Sequence, residues 1–199
     1  MYILGRTIIH ILLHILGGGV HAINRNRIPS NLTSYVVVCT HRTWLDVLAL
    51  GIAMKPTPLH YMAKKELFQT KITKWLFTSL HAFPVDRENP GPSTLKIPHR
   101  LLKEGKVVGI FPSGTRSSEG TGLKKGAFVI AKRSGVPIIP AVYQGPTSLK
   151  GILKREPLIV NFGQPVEIEK SKMKDAEEIL EKIQETFHEL ATEITRERV

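Results

Sequence analysis

Acidic residues are in short supply in this chain of 199 residues: 17 Asp and Glu stand against 28 Lys and Arg, a net charge of +11. That imbalance implies an anionic partner, whether nucleic acid, anionic lipid, acidic protein or a phosphorylated substrate. The deficit is local. Residues 60–133 carry 14 basic and 5 acidic side chains, whereas residues 167–199 carry 6 and 10, so the basic surface belongs to the middle of the chain. Cysteine is almost absent: with Cys39 alone, no intrachain disulfide can form, which fits a reducing compartment. No apolar run is long enough to cross a bilayer, which takes about 20 residues; the apolar stretch at residues 7–20 spans only 14. No internal repeat, low-complexity tract or linker divides the sequence. With 42% hydrophobic residues and a mean hydropathy of −0.04, a disordered or polytopic chain is excluded. A single globular domain with a substantial core is expected.

Within the apolar stretch and just before it, Arg6, His10 and His14 recur every four residues, which makes one polar stripe on a greasy helix that Gly17-Gly18-Gly19 ends. Residues 1–20 read as a membrane-associated helix lying in the interface or dipping into one leaflet, ahead of a globular domain over 21–199. A buried core helix and a cleaved signal peptide, with Val20-His21-Ala22 as its cleavage site, are the rival readings. His10 and His14 have the spacing of a metal pair, yet no Glu or third ligand accompanies them, so no metal site is expected.

The chain is organised around His41-Arg42-Thr43-Trp44-Leu45-Asp46. The β-branched run from Tyr35 to Thr40 predicts a buried strand, and Trp44, Val47, Leu48, Leu50 and Ile52 suit a helix packed on a sheet. His41 then sits where a strand ends and a helix begins, the usual ligand position in open α/β sheets. A histidine followed five residues later by an aspartate has a plain chemical use. The imidazole takes a proton from a hydroxyl while the carboxylate holds the other ring nitrogen. Cys39 is two residues from His41 and so on the same side of the strand, which leaves open a cysteine nucleophile; a buried strand residue is the plainer reading.

Downstream, strands and helices alternate. Helices are expected over about 43–54, 66–80, 92–104 and 124–134, and from about 173 to the C-terminus; Pro98 should kink or break the third. Strands are expected over 59–63, 82–87, 106–111, 136–143 and 158–162, and the two prolines of the fourth cannot both sit in a central ladder. The flanking Lys64, Lys65, Lys71 and Lys74 mark either a solvated basic face or a membrane-facing one. The expected fold is an α/β single-domain sandwich with a central mixed, mostly parallel sheet flanked by helices. After the third of these strands, Pro112 to Ser118 is either an ordinary polar loop or a phosphate cradle. Gly114 allows a tight turn, hydroxyls and amides donate, and Arg116 offers a planar fork.

Four segments in order, His41-x4-Asp46, Phe83 to Arg87, Phe111 to Ser117 and Val136 to Ala141, resemble the motifs of the glycerolipid acyltransferase family, specifically its bacterial 1-acylglycerol-3-phosphate acyltransferases. The resemblance covers roughly residues 20–165. It implies that His41 is the general base on the acceptor hydroxyl, oriented by Asp46, and that the hydroxyl attacks a fatty acyl thioester directly. It implies that Arg87, Gly114, Thr115 and Arg116 hold the acceptor's phosphate, and that Val136, Pro137, Ile138, Ile139 and Pro140 belong to an acyl-side framework. The implied partners are membrane lipids, lysophosphatidic acid and a thioester of acyl carrier protein or coenzyme A. No cofactor is implied, and the implied place is the cytoplasmic face of the membrane. Nucleic-acid binding would explain the charge but not the His41 loop or the apolar N-terminus. Two positions depart from the pattern: Thr40 replaces the usual Asn or Ser, and Ser113 replaces the usual Glu. The second keeps alive a different lysolipid acceptor, and a non-catalytic lipid-binding protein of the same fold is the remaining alternative.

Overall fold

A computed structural model describes residues 2–86, 91–111, 121–168 and 176–197. Helix α1 (Tyr2–Leu16) precedes strand β1 (Val20–Ile23) and a short 3-10 turn. Then follow β2 (Val36–Cys39), α2 (Trp44–Ala53), β3 (Leu59–Lys64), α3 (Lys71–Ser79), β4 (Ala82–Val85), α4 (Ser93–Lys103), β5 (Val107–Ile110), α5 (Thr121–Ser134), β6 (Ile138–Gln144), α6 (Leu149–Leu153), β7 (Leu158–Phe162) and α7 (Ala176–Glu197). The strands form one seven-stranded sheet in the order β1-β7-β6-β2-β5-β3-β4. Every neighbouring pair is parallel except β6 with β7. This is the mixed, mostly parallel α/β sheet that the alternation of elements predicts.

β2 is the middle strand and is buried along its whole length, which is why it reads as an unbroken β-branched run rather than an alternation. Its two faces feed two cores. Val36 and Val38 pack with Leu101 and Leu102 of α4, Ala127 and Ile130 of α5 and Ile183 of α7. Val37 and Cys39 pack with Leu45 and Leu50 of α2 and Leu13 of α1. β2 is thus fixed on both sides and on both edges, and whatever follows it starts from a rigid point.

Several expectations change in detail. Val20 opens an edge strand paired to β7, at Leu158, instead of closing the helix. The stretch from Glu66 to Leu80 is not one helix. A 3-10 turn at Lys65–Phe68 gives way to α3, which is started by a reciprocal cap between Thr70 and Thr73. Pro98 lies inside α4 without dividing it, because Pro98, Leu101 and Leu102 are buried against the sheet and that packing outweighs one lost backbone bond. β6 admits one proline, since Pro137 precedes it. Pro140 lies one residue beyond the β6–β7 ladder, which begins at Ala141 and Phe162, and its carbonyl accepts from Gly163 N at 2.8 Å. Its missing N–H therefore costs little.

The polar stripe expected on α1 is turned inward at two of its three positions. Arg6 is buried, its guanidinium donating to the carbonyls of Pro56 and Thr57, and the Lys55 ammonium donates to His10 Nδ1 at 2.7 Å. Burial and the Lys55 charge hold the His10 ring below its ordinary pKa. Ile8, Ile11, Leu12, Ile15 and Leu16 face outward instead. A helix facing water has the opposite polarity. Among the described residues no helix is long and apolar enough to cross a membrane.

The glycines after α1 do more than stop a helix. A Cβ on Gly18 would lie 2.5 Å from the Arg155 carbonyl oxygen and 2.8 Å from Pro157, so only glycine lets the two backbones meet. Gly18→Ala should therefore lower unfolding free energy by about 1–3 kcal/mol in a denaturant melt, the usual cost of overpacking. Gly126→Ala, in α5 with nothing within 4 Å of the added carbon, should instead stabilise by about 0.5–1 kcal/mol. Equal melts for the two variants would refute the close joint.

Candidate active site

His41 follows the C-terminal end of β2, and Thr43 begins α2 two residues later. The Thr43 hydroxyl accepts from Leu45 N at 3.1 Å, and the Asp46 carboxylate reaches back to accept from Thr43 N at 2.9 Å, a reciprocal helix cap. The same carboxylate oxygen accepts from Arg42 N at 2.6 Å. The other oxygen accepts from His41 Nδ1 at 2.9 Å. Asp46 has no exposed surface, whereas the His41 ring is 27% exposed.

Because a buried carboxylate in this setting can only accept, the ring proton resides on Nδ1 and the lone pair on Nε2. The imidazole also leans on Phe111, with centroids 5.1 Å apart, and Phe111 lies parallel to Tyr61, whose hydroxyl donates to Val47 O at 3.2 Å. The imidazole is therefore located by a carboxylate on one side and an aromatic wall on the other. Phe111 and Tyr61 are contributions that spacing arguments do not reveal, since each lies in a strand or at its end, far from His41 in sequence.

His41, Arg42 and Thr43 border a cavity of about 680 Å³ whose wall is mostly apolar, formed by Ile9 of α1, Trp44, Leu48 and Ile52 of α2, Met62 of β3 and Phe77 of α3. Arg6 and Lys64 are among its few charged neighbours. A cavity of this size and character is suited to a flexible apolar group, with His41 among the few polar side chains on its wall.

The other expected site residues are placed unevenly. β4 and β5 run parallel to β3, and β5 to β2, so all end at the sheet edge where His41 lies. Arg87, Gly114, Thr115 and Arg116, with Ser113, lie outside the described residues. Val136, Pro137, Ile138, Ile139 and Pro140 are buried beside β2, in register with it from Val36↔Ile138 to Val38↔Pro140. Among the described residues the cavity wall does not include them; they brace the strand that carries His41. Thr40 has a use of its own, its hydroxyl accepting from Tyr143 N at 3.1 Å and tying the end of β2 to β6.

Cys39 is fully buried, and burial first, then the Asp46 charge, pushes its thiol pKa up. That environment opposes the thiolate a nucleophile needs.

A family model described as acyltransferase matches residues 20–144. The chain is 50% identical over 151 residues to the 1-acyl-sn-glycerol-3-phosphate acyltransferase of Bacillus subtilis (strain 168), covering 76% of this chain and 75% of that protein. It is 40% identical over 192 residues to the protein of the same name from Streptococcus pneumoniae (strain ATCC BAA-255 / R6), covering 94% and 72%. In fold it matches the crystal structure of the 1-acyl-sn-glycerophosphate (LPA) acyltransferase from Thermotoga maritima, with a TM-score of 0.72 at 21% identity over 96% of this chain and 78% of that one.

Asp46→Asn is the informative substitution here. An amide cannot accept from Nδ1 and from both backbone N–H groups with its two unlike ends, so either the cap or the imidazole is misoriented. A loss of activity on the order of 10²-fold or more is expected, with about 1 kcal/mol of stability lost from the cap. Cys39→Ser should stay active. Activity near the parent's in Asp46→Asn would show that the pair is not the working geometry.

Proposed function

The chain belongs to the acyltransferase family, and we propose that it moves a fatty acyl group from a thioester of acyl carrier protein or coenzyme A onto the free hydroxyl of 1-acylglycerol 3-phosphate. The observation that carries this reading is the His41–Asp46 pair, 2.9 Å apart with the carboxylate wholly buried, at the polar end of an apolar cavity. His41 Nε2 takes the proton from the acceptor hydroxyl as its oxygen forms a bond to the thioester carbonyl carbon. The tetrahedral intermediate collapses, the carbon–sulfur bond breaks, and the imidazolium returns the proton to the departing sulfur. Asp46 keeps Nδ1 protonated throughout and offsets the charge on the ring. No acyl-enzyme is formed.

The names of the relatives support the acceptor, and the motif resemblance assigns its phosphate to Arg87, Gly114, Thr115 and Arg116. The acyl chain of one substrate occupies the apolar cavity. The enzyme works at the cytoplasmic face of the membrane, where the outward Ile8, Ile11, Leu12 and Ile15 of α1 meet lipid. A second acceptor, another lysolipid, is favoured by one specific feature: Ser113 stands where the resemblance calls for Glu.

The test offers the purified chain one thioester donor with lysophosphatidic acid, glycerol 3-phosphate or a phosphate-free monoacylglycerol, then repeats the assay with each donor type. Lysophosphatidic acid should be strongly preferred. His41→Ala should lose about 10²–10⁴-fold while remaining folded. Arg116→Ala should weaken use of the phosphorylated acceptor by roughly ten- to a hundredfold, as expected of a charge-assisted bond worth about 1.5–3 kcal/mol, with only partial rescue by Arg116→Lys. Equal use of the phosphate-free acceptor would remove the phosphate role and turn attention to Ser113.

A further inference from the structure

Two more short helices repeat the outward apolar pattern of α1. In α3, Ile72, Trp75 and Leu76 follow helical spacing and all point away from the protein, Ile72 at 78% exposure. In α6, Leu149 and Leu153 stand four residues apart at 63% and 67% exposure, while Gly151 and Ile152 between them are buried. Ile72, Leu149 and Leu153 are each mostly exposed, so a polar residue at any of them would leave most buried contacts in place.

The two helices meet α1 at its two ends. Leu80, which ends α3, would be 3.5 Å from a Cβ on Gly5 of α1. Gly17 and Gly18 lie against Ile152 of α6 and against Arg155 and Pro157 beyond it. Charge points the same way at all three. None of α1, α3 and α6 contains an Asp or Glu, and Lys71, Lys74, Lys150, Lys154 and Arg155 lie in or immediately after α3 and α6. Lysines bordering an apolar stripe can bury their stems and keep their ammonium groups at phosphate level, and tryptophan prefers that same boundary.

We propose that α3 and α6 enter an anionic lipid leaflet together with α1, so that the enzyme rests on three short helices instead of one. This extends the membrane reading given above and rests on it. Apolar insertion supplies a salt-resistant part of the attachment, and the five cations supply a part that salt screens.

The test uses the full chain and flotation with two kinds of vesicle, phosphatidylglycerol mixed with phosphatidylcholine, and phosphatidylcholine alone. One variant carries Ile72→Ser and Trp75→Ser, a second Leu149→Ser and Leu153→Ser, and a third Lys71→Ser and Lys74→Ser. The two apolar pairs should each lower the partition coefficient roughly tenfold or more on both vesicle types. The lysine pair should lower it on the anionic vesicles alone. Turnover of lysophosphatidic acid in detergent micelles should equal the parent's in all three, because none of these side chains borders the cavity. That micelle assay separates the two readings: a parent that floats but does not turn over lysophosphatidic acid contradicts the acceptor and leaves the membrane face standing. Parent-like flotation of both apolar pairs would overturn the proposal in favour of α1 alone. A parent that ignores vesicles but sediments as a dimer, with either apolar pair restoring the monomer, would assign the face to a second copy of the chain.

Discussion

A carboxylate with no contact with water must have its lone pairs met by donors, and in this protein three donors converge on Asp46. Two are the backbone N–H groups of Arg42 and Thr43, and the third is His41 Nδ1. The charge that organises the first turn of α2 is thereby the charge that orients the His41 imidazole. The helix start and the orientation of the imidazole thus depend on the same carboxylate. Charge-assisted bonds of this kind are stronger than neutral ones, which suits a loop that has to hold its geometry at the rim of an apolar cavity.

That loop is only as rigid as the strand feeding it. β2 lies fourth of seven in the sheet, is buried throughout, and is bridged at its end by the Thr40 hydroxyl to Tyr143 N of β6. The Val136–Pro140 segment enters the same support through its register with Val36–Val38. Val136 and Ile138 fill the core on one face of the sheet and Ile139 the core on the other, so the segment bears on the site through the backbone of β2. On the far side, Phe111 at the end of β5 supplies the aromatic surface behind the ring.

The legible parts of this protein were those whose signal is local in sequence. β2 and β7 are continuous buried runs rich in β-branched residues and α7 carries its own helical periodicity, and the His41–Asp46 pair lies within one loop and one helical turn, so spacing alone could suggest it. β1 could not be read, because the four residues Val20–Ile23 have no strand pattern of their own and exist as a strand through pairing with β7. α6 is too short to show a period. The Thr70–Thr73 cap that divides Glu66–Leu80 was visible in the letters but outweighed by an apolar stripe running through it. Arg6 was misleading for a physical reason: a cation on an apolar helix is expected to reach water, yet backbone carbonyls at Pro56 and Thr57 satisfy it inside. The cavity was illegible altogether, since its wall is assembled from α1, α2, β3 and α3.

Helix α1 presents Ile9 and Arg6 to the cavity and Ile8, Ile11, Leu12 and Ile15 to the exterior. An α-helix with its side chains is about 10–12 Å across, so the cavity surface at Ile9 is separated from the outside by the thickness of a single helix. The N-terminal segment is thus a partition between the cavity and the exterior, and cutting it away would unroof the cavity as well as remove the outward apolar face. Loss of activity after such a truncation measures both effects at once, and only substitutions confined to the outer side of the partition can tell them apart.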